Sequence, residues 1–238
     1  MLFKNSTDAQ KKTPPAGKFW CCLELVSQVS YSFVIRAWVL QIDKQSEGHM
    51  STRDTLKTRS STKEHIIAAL TRLLEDTPYQ EIKIKQICAE AYISKPTFYR
   101  HFQNKDSILC WVSQEAIKYG VAGIGRKYSW LEGCYRTAVF FYRYGALFSR
   151  PQTPEVTTTL ITSSSELIRS TFVETLKDYK NVKLTEQLLF QIDSLCFSQG
   201  YMTRSWAEDG MRISPKTFAG YIVSTVPSEL HEFMSASS

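Results

Sequence analysis

From Ser61 onward, apolar residues return at intervals of three and four, the spacing that places them on one face of an α-helix. The first such run opens with Ser61 and, three residues on, Glu64, a pair able to satisfy each other's free amides as a capping box. Ile66, Ile67, Leu70, Leu73 and Leu74 share its face before Thr77-Pro78 stops it. A short helix over about 84–91 follows and buries Ile84, Ile87 and Cys88. Four residues later Ser94 is a natural N-cap, and Pro96 falls in a first turn that does not need its missing N–H. Ile93 and Phe98 staple that turn, Phe98 and Phe102 point inward, and Asn104 caps the next helix. Further helices are predicted over 105–122, 130–148, 154–179, 185–208 and 214–226, with stops at Gly210 and Pro227. No stretch has the two-residue period of a strand, none repeats, and no Gly-rich phosphate loop occurs. The expected fold class is all-α.

The first 49 residues read differently. Residues 1–18 are polar with a Pro-Pro pair, and residues 19–42 are apolar but interrupted by Glu24 and Arg36, with no uncharged run long enough to cross a bilayer. We expect 1–49 to be an extension, disordered or foreign to the natural product, with translation starting at Met50. An amphipathic helix packed on the body is the second reading, and a membrane anchor the third.

Composition is that of an ordinary folded chain, with 43% hydrophobic and 22% charged residues and a net charge of +6. The basic excess is local. Between positions 83 and 105 stand Lys83, Lys85, Lys95, Arg100 and Lys105 against Glu90 alone, whereas from Cys110 onward 13 basic residues face 12 acidic ones. A polyanionic partner fits this asymmetry, and so does a plain solvated face. The six cysteines and four histidines are dispersed, without metal-ligand spacing. We expect free thiols, a cytoplasmic setting, and neither metal nor cofactor. No nucleophile–base pair or carboxylate pair can be assembled, and His65 and His231 lack evident partners, so no enzyme is expected.

Two short helices joined by about four residues have helix-turn-helix geometry, whose second helix enters the major groove. Tight helical corners are common, but here the residues are distinctive. Across 62–109, and above all in Ile87-Cys88-Ala89-Glu90-Ala91-Tyr92-Ile93-Ser94-Lys95-Pro96-Thr97-Phe98-Tyr99-Arg100-His101-Phe102-Gln103-Asn104-Lys105-Asp106, the sequence resembles the DNA-binding domain of TetR-family regulators. The resemblance divides the chain into a three-helix helix-turn-helix head at 50–109 and a helical body for dimerisation and effector binding at 110–238. It implies that Tyr99 and Lys105 hold phosphates, that Lys95, Thr97 and Pro96 face bases, and that His101 lies near the backbone. Arg100, Lys83 and Lys85 add nearby cations. Two positions depart from the family pattern. Tyr92 stands where Gly is usual, at a left-handed position that strains any other residue by about 1–2 kcal/mol. Lys83 replaces the usual Ser or Thr cap.

The body says less. The resemblance implies a homodimer through the last two helices, for which Leu188, Ile192, Leu195, Met202, Trp206, Phe218, Tyr221 and Ile222 are the candidate seam. An intramolecular core face is the alternative. Residues 110–150 hold ten of the chain's thirty aromatics. Trp111, Tyr119, Trp130, Tyr135, Phe141, Tyr142 and Phe148 are the candidate lining of an effector pocket, against the alternative of plain core. The expected function is a regulator, acting as a repressor, that binds a palindromic operator in double-stranded DNA and responds to an apolar or aromatic effector. The competing reading is a co-activator whose body docks a partner protein.

Overall fold

A computed structural model describes residues 61–150 and 152–235; the extension and the reading that places the first residue at Met50 lie outside them. The described chain is helical. The head is α1 (Thr62–Asp76), α2 (Ile84–Glu90) and α3 (Lys95–His101). The body is α4 (Asp106–Tyr119), α5 (Trp130–Arg143), α6 (Gly145–Phe148), α7 (Pro154–Glu174), α8 (Glu186–Glu208), α9 (Pro215–Ser224) and α10 (Ser228–Met234).

The head forms as its caps direct. The Ser61 hydroxyl accepts from the Glu64 amide at 3.3 Å while the Glu64 carboxylate accepts from the Ser61 amide at 2.8 Å. Ile66, Ile67 and Leu70 then bury against Ile87, Phe98 and Phe102, all at most 4% exposed. A 3₁₀ turn over Tyr79–Glu81 leads into α2. Ser94 Oγ accepts from the Thr97 amide at 3.2 Å, and Asn104 Oδ1 accepts from the Ser107 amide at 2.8 Å.

In the body, α7 packs along α8, α5 against α9, and α4 against both α5 and α7. Where α4 ends, Gly120 and Gly133 let it meet α5 closely: a Cβ on Gly120 would stand 2.3 Å from the Gly133 carbonyl. Two long helices expected from the sequence are broken. The run over 130–148 turns at Tyr144, and α6 leaves it to pack on α1 of the head. The run over 154–179 ends in a wider turn at Thr175–Tyr179, where buried Thr175 accepts from Arg126 Nε at 2.8 Å and donates to the Thr171 carbonyl at 2.7 Å. Periodicity is blind to both, because the apolar spacing carries on across the breaks.

Helix α10 was absent from the sequence reading, which treated Pro227 as a terminus. Its Leu230 and Met234 are fully buried. His231 is also partnered, contrary to expectation: its ring stacks on Trp130 at 6.0 Å, and its carbonyl accepts from Trp130 Nε1. Among the described cysteines, Cys88, Cys134 and Cys196 are buried and Cys110 is half-buried, all as free thiols.

Candidate nucleic-acid interface and candidate effector cleft

The turn between α2 and α3 is a Schellman motif built on a tyrosine. Ile93 N–H donates to the Cys88 carbonyl at 3.0 Å and Tyr92 N–H to the Ala89 carbonyl at 3.2 Å. The motif needs a left-handed residue between them, and Tyr92 has φ 55°. Its ring packs against almost nothing, being 94% exposed. Lys83 occupies the N-cap of α2 without a side-chain acceptor; the Gln86 amide oxygen takes its N–H at 2.8 Å instead.

These devices fix α3 by its inner face, Phe98 and Phe102, and turn Lys95, Pro96, Tyr99 and Arg100 to solvent. Thr97 and His101 are half-buried, and the Thr97 hydroxyl lies 2.9 Å from Ser94 Oγ, where it shares in the cap. Lys83 and Lys85 are exposed on the adjoining helix. The one acid in this stretch, Glu90, is ion-paired with Arg72 of α1. The outward field of the segment is therefore positive.

Lys105 requires a correction. Its ammonium donates to the carbonyls of Tyr79 at 2.6 Å, Gln80 at 3.1 Å and Ile82 at 3.1 Å. Three donors on three carbonyls leave none for a phosphate. Burial pushes its pKa down, with neighbouring Asp106 opposing. Asp106 in turn binds the buried Tyr79 phenol, which desolvation and this hydrogen bond hold protonated. Lys105 and Asp106 thus bolt the start of α4 to the turn that precedes α2.

Between α4, α5, α7, α8 and α9 lies a cleft of about 800 Å³, solvent at its mouth included. Of the seven aromatics expected there, Phe141 and Phe148 line it. Trp111 packs edge-on to Phe102 under Lys63, and Trp130 is sealed between Phe172 and His231. Tyr119 and Tyr142 are exposed, Tyr119 beneath the Arg136 guanidinium, while half-buried Tyr135 packs at the edge of the core. The face that α5 gives the cleft is Cys134, Thr137, Ala138 and Phe141. Space is left by the small residues, and large aromatics fill volume elsewhere. Burial pushes the Cys134 thiol up to about 12, so it acts there as an apolar group.

Two polar residues in the cleft were missed by sequence reasoning, Gln199 and Arg204, both buried on α8. Arg204 donates through Nε to Glu208 at 2.8 Å and through Nη1 to Gln152 at 2.6 Å and the Phe148 carbonyl at 3.4 Å. No local signal marked either residue, because both phases of α8 are periodic in apolar side chains.

The candidate dimer seam also needs correcting. Leu188, Ile192, Leu195, Trp206, Phe218 and Ile222 are at most 8% exposed within the single chain. The strongest aliphatic stripe of α8 is the one its own core claims. Met202 and Tyr221 do remain exposed, beside a stripe the sequence reading passed over: Phe190, Phe197 and Tyr201, exposed by 74%, 58% and 62%.

Residues 66–109, from α1 into α4, match the sequence model described as "Bacterial regulatory proteins, tetR family". This segment is similar to the DNA-binding domain of that family of helix-turn-helix transcription regulators. No curated protein matches it. Among solved structures, the dihydroxyacetone kinase operon activator DhaS superposes with a TM-score of 0.54 at 16% identity, covering 73% of this chain and 98% of that one. A TetR-family regulator from Streptomyces coelicolor gives 0.45 at 18% identity over 72% and 88% of the two chains. Thermus thermophilus FadR, a repressor solved with lauroyl-CoA, gives 0.45 at 16% over 74% and 96%. At such identities the likeness to DhaS is one of fold. Among the described residues no helix is long and apolar enough to cross a membrane.

Proposed function

We propose that the protein is a dimeric repressor that reads a palindromic operator with α3 and releases it when a small, mostly apolar molecule enters the cleft. The observation that carries the reading is the outer face of the head. Lys95, Pro96, Tyr99 and Arg100 stand exposed on a capped, core-anchored helix, and the acid beside them is neutralised by Arg72. In this reading Lys95 and Thr97 face base edges, Tyr99 and Arg100 meet phosphates beside them, and Lys83 and Lys85 meet the flanking backbone.

The route from cleft to head runs through two contacts. Ser113 and Ile117 of α4 line the cleft, and α4 is bolted to the head by Lys105 and Asp106. Phe148 also lines it, and its short helix packs on α1. A ligand that favours one arrangement of these helices would alter the spacing of paired recognition helices, which must be about 34–36 Å to enter successive major grooves.

Selection of bound duplexes from a random pool, followed by salt titration, tests the DNA arm. Four exposed cations per protomer (Lys83, Lys85, Lys95 and Arg100) give about eight phosphate contacts per dimer and a slope of log K against log salt of about −7. A slope near zero would remove the DNA-binding reading. We assign the exposed stripe of Phe190, Phe197 and Tyr201 to a second copy; it would serve a partner protein if this chain proves monomeric, and the co-activator reading would then take precedence.

A further inference from the structure

Among the described residues, Gln199 is the one primary amide in the wall of the cleft, and it is 5% exposed. Its Nε2 is sealed from solvent and has no hydrogen-bond partner. Burying an amide N–H without an acceptor is unfavourable, and an aliphatic side chain of that size would fill the site without the penalty. None of the wall's hydroxyl oxygens accepts from Gln199 Nε2. Apart from Cys134, Gly200 and Arg204, the rest of the wall is made of Ile, Val, Leu, Ala and Phe side chains with the hydroxyls of Ser113, Thr137, Ser164 and Thr203. Thr137 is already engaged, accepting from the Val121 amide and donating to the Ala116 carbonyl.

Among the described residues, the one cation in the wall is equally committed. Arg204 holds Glu208 through Nε and Nη2, and Gln152 and the Phe148 carbonyl through Nη1. A carboxylate or phosphate entering the cleft would find no free positive charge. It would have to displace Glu208, the partner one turn along α8 that neutralises Arg204.

Resting on the reading of this cleft as the effector site, we infer that the effector is an uncharged molecule with an apolar body and one carbonyl or hydroxyl oxygen, which accepts from Gln199 Nε2. Ketones, esters, alcohols and phenols belong to this class. Hydrocarbons lack the acceptor, and free acids carry a charge the site does not balance. Gln199 is then the residue that selects on functional group, while the small residues Cys134, Ala138 and Gly200 select on shape.

Three probes of similar size separate the possibilities: butylbenzene, butyrophenone and 4-butylbenzoate, titrated calorimetrically into the full chain. The ketone should bind about tenfold more tightly than the hydrocarbon, the worth of one buried neutral hydrogen bond, and the carboxylate should bind weakest. Gln199→Leu should abolish the preference, and Gln199→Met should do the same should leucine repack the wall. Without ligand, either variant should melt at or above the wild-type temperature, because an unpartnered amide has been removed. Equal affinity of ketone and hydrocarbon for the wild type, a preference that survives both variants, or tightest binding by the carboxylate would each overturn the inference while leaving the cleft a binding site. If none of the three binds or raises the melting temperature, the effector reading of the cleft falls with it.

Discussion

Tyr92 shows how a single residue can be held in an unfavourable state by the motif around it. Its N–H and that of Ile93 close the Schellman turn, so φ stays at 55° although the side chain has a Cβ to clash. Nothing offsets the strain through packing, since the ring is 94% exposed. Tyr92→Gly should relieve about 1–2 kcal/mol of strain and return about 0.5–1 kcal/mol as added chain entropy in the unfolded state. The net should be roughly 0.5–1 kcal/mol of stabilisation, a rise in melting temperature of about 1–4 °C for a chain of this size. Tyr92→Ala keeps the Cβ and should gain nothing. Denaturation of the two variants side by side checks this, and equal gains would show that strain is not the cause. This residue was legible beforehand, because the resemblance puts glycine in that turn and the chain places tyrosine there. Gln199 was not legible, because nothing local distinguishes an orphaned amide from one with a partner across the fold.

At the scale of elements, legibility follows the same division. Caps and staples are written within four residues, so Ser61, Ser94 and Asn104 stand where the sequence puts them, each accepting the amide expected. What a helix packs against is written across the chain, beyond the reach of local spacing. On α8 the aliphatic phase and the aromatic phase are both periodic, and periodicity cannot say which faces inward. On α5 the eye goes to the large rings, while the cleft is made where Cys134 and Ala138 are small. Lys105 is a related case: a motif position implied a phosphate, and the fold gives its ammonium three carbonyls. Lys105→Met should loosen the junction of α4 with the 3₁₀ turn, costing about 1–2 kcal/mol after allowing for partial exposure. It should weaken DNA binding without changing the salt slope. A lysine that neutralised a phosphate would lower that slope by about 1 per protomer, so a slope reduced by about 2 in the dimer would restore the phosphate role.

For the whole molecule the open question is what covers the aromatic stripe. Phe190, Phe197 and Tyr201 lie seven and four residues apart on α8, within one helical face, with Met202 and Tyr221 of α9 also exposed. Ser194 and Ser198 between them, and Ser205 one turn beyond, are small and exposed, which would let a second helix approach closely. A row of exposed aromatic side chains along one helical face is uncommon on a monomer and common at the centre of an interface. A two-fold axis through it would make Phe197, the middle residue, meet its own counterpart or a neighbour one turn away. Phe197→Glu would then bury two carboxylates near the axis and should separate the protomers, since like charges brought together at an interface cost several kcal/mol. The fold should survive, because the side chain is 58% exposed in the single chain. Sedimentation equilibrium should report a monomer, and each monomer carries only half the phosphate contacts. The salt slope should accordingly fall from about −7 to about −3.5, and preference for a palindrome over its half-site should disappear. If the variant remains dimeric with an unchanged slope, the stripe is not the seam, and its exposure is better explained by a partner protein docking on α8.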